Sequence, residues 1–132
     1  MEEQLKSHFL NMYHMALSDT QIDISELKVL YTIGEERGIS KEEIDSIVLR
    51  PDLIKFSSPK DVYEKIEYLY DFARIAWADG VIDENEKRLL HTLGKKFGFE
   101  EENIFEIAEF LLEEAEKKTP KELIFKIVTE NL

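Results

Sequence analysis

Apolar residues return every three or four positions through most of the chain, the spacing that places them on one face of a helix. Leu5, Phe9, Met12, Tyr13, Ala16 and Leu17 predict a first helix running to about Ser18. A second stripe of Leu27, Leu30, Tyr31 and Ile33 begins just after Asp23 and stops near Gly38, where a glycine can take the left-handed conformation that closes a helix. Ser40 with Glu43 opens a third, shorter helix carrying Ile44, Ile47 and Val48, and Pro51 ends it. Ser58-Pro59 is a start signal, which predicts a long fourth helix to about Ala78 burying Val62, Ile66, Leu69, Tyr70, Ala73 and Trp77. A fifth helix is expected from about Asp83 to Gly98 and a sixth from about Glu101 to Lys118, and Thr119-Pro120 opens a seventh. The pattern predicts an all-α fold of about seven helices in one bundle.

The same pattern occurs twice. Ala16 to Ile39 lies over Ala76 to Phe99 without a gap at an offset of 60 residues, matching Asp19 with Asp79, Ile22 with Ile82, Asp23 with Asp83, Glu26 with Glu86, Leu30 with Leu90, Thr32 with Thr92, Gly34 with Gly94 and Gly38 with Gly98. The register continues through Ile44 with Ile104 and Ile47 with Ile107, and one inserted residue brings Pro59-Lys60 onto Pro120-Lys121. The expectation is a single domain over residues 1–132, built from three-helix repeats at about 5–66 and 67–130 that pack about a pseudo-twofold axis.

Charge narrows the function. Seventeen Lys and Arg against 29 Asp and Glu leave a net charge of −12, which repels nucleic-acid backbones and anionic lipid and attracts cations or basic protein faces. No cysteine is present, so a metal would be held by oxygen or imidazole. The start Met1-Glu2-Glu3-Gln4 lacks a basic, apolar leader, and no uncharged segment approaches the roughly 18–20 residues of a bilayer span. A cytoplasmic protein without membrane insertion is the expectation.

Both copies carry an acidic turn of the form Asp-x-x-Ile-Asp-x-x-Glu: Asp19, Asp23 and Glu26 in the first, Asp79, Asp83 and Glu86 in the second. Three carboxylates converging between two helices are candidate oxygen ligands for a hard divalent cation, Ca²⁺ or Mg²⁺. The segment from Asp79 to Glu86 copies the second half of an EF-hand loop, but Ile75 and Trp77 stand where oxygen ligands would be needed. Helix capping is the alternative. Asp23-x-x-Glu26 and Asp83-x-x-Glu86 have capping-box spacing, which leaves Asp19 and Asp79 unexplained at helix C-termini, where the macrodipole disfavours an anion.

Ile75-Ala76-Trp77-Ala78-Asp79-Gly80-Val81-Ile82-Asp83-Glu84-Asn85-Glu86, with Leu89-Leu90 and Gly98-Phe99 following, resembles the core motif of the TerB-like (tellurite-resistance) domains. The resemblance implies a seven-helix bundle with paired acidic turns, serving as a non-catalytic, metal-responsive module of stress-response assemblies. It carries Asp79, Asp83 and Glu86 over as cation ligands, with Asp19, Asp23 and Glu26 as counterparts. The first turn departs from the motif at Ser18 and Thr20, where the family favours Ala and Gly.

No catalytic constellation is visible. His8, His14 and His91 lack a second His four residues away and are expected at helix surfaces or interfaces, and no phosphate loop or nucleophile elbow occurs. The aromatics of the fourth helix are expected in the core. Glu113 with Lys117 and Glu114 with Lys118 have the spacing of i,i+4 ion pairs. The expected function is non-enzymatic: a binding module for protein partners, modulated by a divalent cation at the turns, with a dedicated metal-binding or sensing protein as the alternative and a carboxylate-metal hydrolase as the third. No obligate cofactor is implied.

Overall fold

A computed structural model describes residues 2–16, 24–78, 80, 82 and 84–131. The described residues form seven α-helices and no strand: α1 (Glu3–Ala16), α2 (Ile24–Glu36), α3 (Lys41–Leu49), α4 (Val62–Ala76), α5 (Glu84–Lys96), α6 (Glu101–Glu116) and α7 (Lys121–Asn131), with a 3₁₀ turn at Pro51–Leu53. None of them is long and apolar enough to cross a membrane. Central α4 packs against α1, α2, α5 and α6. Its sequence explains that place: Ile66, Tyr68, Leu69, Tyr70, Phe72, Ala73, Ile75 and Ala76 are buried around the whole circumference, as a helix enclosed on all sides requires.

Local chemistry sets the ends. Ser40 and Glu43 form a reciprocal capping box at the start of α3, with Glu43 N–H donating to Ser40 Oγ at 3.2 Å. Gly38 and Gly98 adopt φ of 74° and 97°, and in each case the next residue's N–H returns to the carbonyl of a helical glycine, Ile39 to Gly34 at 2.8 Å and Phe99 to Gly94 at 3.1 Å. These are Schellman ends, which satisfy carbonyls the helix leaves open. At the end of α6 the same bond runs from Thr119 N–H to Glu114 O at 3.0 Å, with Lys118 in the left-handed position at φ 60°.

Several expectations are corrected. The fourth helix starts at Val62 and not at Ser58-Pro59, because Asp61 caps it through Tyr63 N–H at 2.8 Å while Ser57 N–H is held by Ser7 Oγ of α1 at 3.0 Å. Val62 is exposed, not buried, on that first turn. Glu113 and Glu114 do not pair with Lys117 and Lys118; Glu114 accepts from Thr119 Oγ1 at 2.6 Å instead. The helix has turned into its Schellman end there, so Lys118 leaves the i,i+4 face.

Candidate functional site

Of the predicted cation ligands, Asp19, Asp23, Asp79 and Asp83 lie outside the described residues. Glu26 and Glu86 are described. They occupy matching places in the first turns of α2 and α5, each 2% exposed, and each is engaged by neighbouring groups. Among the described residues no cluster of three metal-ligating side chains occurs.

A second charged centre was not anticipated. Asp71 lies fully buried in the middle of α4. His8 Nε2 of α1 is 2.9 Å from its Oδ2, Arg37 Nη2 beyond the end of α2 is 2.6 Å from the same oxygen, and Lys121 Nζ at the start of α7 is 3.0 Å from Oδ1. Glu67, one turn earlier on α4, meets Arg37 at 3.1 Å and Lys121 at 3.3 Å. Arg74, one turn later, forks onto both oxygens of Glu36 at 2.8 and 2.9 Å. Three separate helices are thereby tied to α4 through one buried carboxylate.

The protonation states follow from the surroundings. Burial favours the neutral imidazole and outweighs the Asp71 hydrogen bond, so the His8 pKa lies below its ordinary value. The neutral ring donates from Nε2 to Asp71, and its other nitrogen, Nδ1, is buried without a hydrogen-bond partner. Burial pulls the Asp71 carboxyl up, but the His8 hydrogen bond and the charges of Lys121 and Arg37 together hold it well below the usual carboxylate range. Asp71 is ionised and His8 neutral at pH 7.

The His8 ring stacks on Tyr68 with centroids 3.8 Å apart and planes at 9°, and meets Phe72 edge-on at 5.2 Å. The Tyr68 hydroxyl accepts from Gln4 Nε2 at 3.0 Å, closing the stack from the α1 side. His8 was expected at a surface or interface and is fully enclosed in the core. The missed signal was Asp71 itself, a charge inside the apolar run Tyr68-Leu69-Tyr70-Asp71-Phe72-Ala73, where an ionised group needs buried partners.

Arg37, Glu67, Arg74 and Lys121 line one wall of a cavity of about 680 Å³ that extends to Trp77 and Thr119. Arg37 and Lys121 pair with Glu67 and Arg74 with Glu36, while Lys118 and Glu122 also line the cavity, and the His8–Asp71 pair, with both side chains at 0% exposure, is not part of the lining. A His–Asp pair is half of an acid–base triad, but this one turns its free nitrogen into the core.

The surface carries a different feature. Leu49, at the end of α3, and Leu53 and Phe56, on the connection to α4, are 77%, 65% and 46% exposed. Phe56 stacks on buried Phe97 at 6.3 Å, which holds the connection against α5, and Lys96 Nζ lies 5.2 Å from its ring centroid. Comparisons with protein-family models, with curated proteins and with solved structures return no match.

Proposed function

We propose that the protein is a non-catalytic helical module that binds a protein partner. The carrying observation is the exposure of three large apolar side chains close together in sequence, Leu49, Leu53 and Phe56, on a segment anchored by Ser57 to α1 and by Phe56 to Phe97 just beyond α5. Large apolar side chains grouped on an anchored surface mark association sites, since water covers them at a free-energy cost that a partner removes. The non-catalytic part rests on the cavity, where Arg37 and Lys121 pair with Glu67 and Arg74 with Glu36, and on His8, which is buried against Asp71 outside the cavity's lining.

A TerB-like arrangement, with two copies about a pseudo-twofold axis, fits this reading. Two elements related by a twofold axis bring equivalent residues together at the axis. His8 and Tyr68, equivalent at the 60-residue offset, stack on each other, and Gly34 and Gly94 each abut the equivalent isoleucine, Ile44 or Ile104.

The test is a Leu49→Ser, Leu53→Ser, Phe56→Ser variant in affinity purification from cells that make the chain. A partner retained by the wild type and lost by the variant, at unchanged helicity, supports the module. Retention unaffected by the three changes removes its basis.

A divalent cation at the acidic turns is the second reading, favoured by the burial of Glu26 and Glu86 at matched positions. Calorimetric titration of Ca²⁺ and Mg²⁺ into metal-free protein tests it, with an Asp79→Asn, Asp83→Asn variant as control. Saturable heat lost in the variant supports ligation; heat no different from buffer up to millimolar metal reduces these acids to helix caps.

A further inference from the structure

A second cavity, of about 460 Å³, opens between the end of α4 and the outer face of α6. Trp77, Ile82 and Leu112 form its apolar lining. The indole Nε1 of Trp77 donates to Leu112 O at 2.6 Å, so with its polar atom spent on α6 the half-buried ring offers the cavity only carbon. Glu109, Glu113 and Glu116 stand along the rim at i, i+4 and i+7 of α6, which puts all three on one side of the helix.

These carboxylates form no ion pair or hydrogen bond with any described residue, unlike the glutamates around Asp71. Among the described residues Lys87 is the one cation at the rim, and it lies 3.9 Å from Glu84 of its own helix. An aromatic and aliphatic floor under three unneutralised carboxylates matches one kind of side chain, a long alkyl stem ending in a cation.

We propose that this groove binds a lysine- or arginine-bearing amphipathic helix of a partner protein. The alkyl stem of one basic residue lies along Trp77 and Leu112 while its head reaches Glu113, and basic residues a turn to either side meet Glu109 and Glu116. The field of the whole chain acts in the same direction: a net charge of −12 draws a basic segment in from a distance and the rim then selects it. The groove is separate from the exposed Leu49, Leu53 and Phe56. It rests on the binding-module reading only in supposing a partner, and the two surfaces fail independently.

Trp77 is the sole tryptophan and borders both cavities, so its emission reports binding at either and the rim-glutamate variant assigns the response to the groove. The experiment titrates the full chain at physiological salt with a tryptophan-free Leu/Lys amphipathic helical peptide, and with a Leu/Glu peptide of the same pattern. It is repeated on a Glu109→Gln, Glu113→Gln, Glu116→Gln variant and on the Leu49, Leu53, Phe56 serine variant.

The expected result is a saturable change in Trp77 emission with the Leu/Lys peptide alone. Affinity should fall about tenfold in the glutamine variant, as loss of several partly desolvated ion pairs predicts, and stay unchanged in the serine variant. No saturable response overturns the proposal. So does a response of equal affinity in the glutamine variant, which would mean that the peptide adheres elsewhere on the acidic surface.

Discussion

Asp71→Asn tests the buried centre most sharply, because it removes one charge and almost no volume. In the wild type the carboxylate is fully enclosed and answers Arg37 at 2.6 Å, Lys121 at 3.0 Å and the His8 ring at 2.9 Å. The asparagine leaves two cations facing an amide. Breaking a buried charge cluster from one side costs about 3–5 kcal/mol, and the lower end applies here because Glu67 still reaches both cations at 3.1 and 3.3 Å. The expected loss is about 3 kcal/mol, a substantial fraction of the roughly 5–15 kcal/mol that holds an ordinary domain. Near the midpoint that corresponds to a fall in Tm of about 10 °C for a chain of this length.

Urea unfolding followed by far-ultraviolet circular dichroism measures the loss. Adding Lys121→Met to Asp71→Asn should recover part of it, since the second change removes a cation stranded by the first. Hydrogen exchange should show α7 loosening first, as Lys121 is its anchor to α4. A loss below about 1 kcal/mol, or a double variant as unstable as the sum of the singles, would refute the idea that this carboxylate ties the helices together.

Other outcomes follow from the same geometry. A Cβ at Gly34 would lie 2.7 Å from Ile44 Cδ1 and 3.2 Å from Ile39 O, whereas one at Gly94 would meet nothing nearer than Ile104 at 3.4 Å. Gly34→Ala should therefore destabilise by about 1 kcal/mol, and Gly94→Ala should stabilise by up to about 1 kcal/mol through helix propensity; parallel denaturant midpoints compare them. His8 has a lower pKa folded than unfolded, so the unfolded chain binds the extra proton as pH falls below about 6.5. The contribution is complete above that pH and declines beneath it, at no more than about 1.4 kcal/mol per pH unit, and His8→Gln should flatten this part of a stability–pH curve. Asp71 works in a lower window: its depressed pKa gives stability present above about 3.9 and lost as pH falls towards the folded value, a loss absent from Asp71→Asn. Lys118→Gly should raise the unfolding free energy by about 0.5–1 kcal/mol by relieving a left-handed position, provided the Schellman bond from Thr119 is kept.

What was legible in the chain was local. The glycine ends of α2 and α5, the capping box of Ser40 and Glu43 and the apolar stripe of Leu30 and Ile33 depend on neighbours within about a helical turn or two, where spacing carries the information. Ser58-Pro59 suggests an earlier start for α4 than the one Asp61 caps at Val62, and Ser57 is held by a hydrogen bond to a residue 50 positions away, which local spacing does not show. The His8–Asp71 pair joins residues 63 apart in sequence, so no periodicity marks it. Only the oddity of an acid among buried aromatics pointed to it. Of the acidic turns, Glu26 and Glu86 are placed in first turns of helices as their spacing suggests, and the four aspartates lie beyond the described residues.

The most direct measurement of the binding-module reading is photo-crosslinking in cells that make the chain, with the reactive amino acid at position 53 and, as a control, at exposed Glu35 on α2. The account predicts one dominant protein adduct from position 53, absent from position 35 and abolished when Leu49 and Phe56 are changed to serine in the same chain. Identical adducts from both positions, or an adduct at 53 indifferent to those serines, would contradict it.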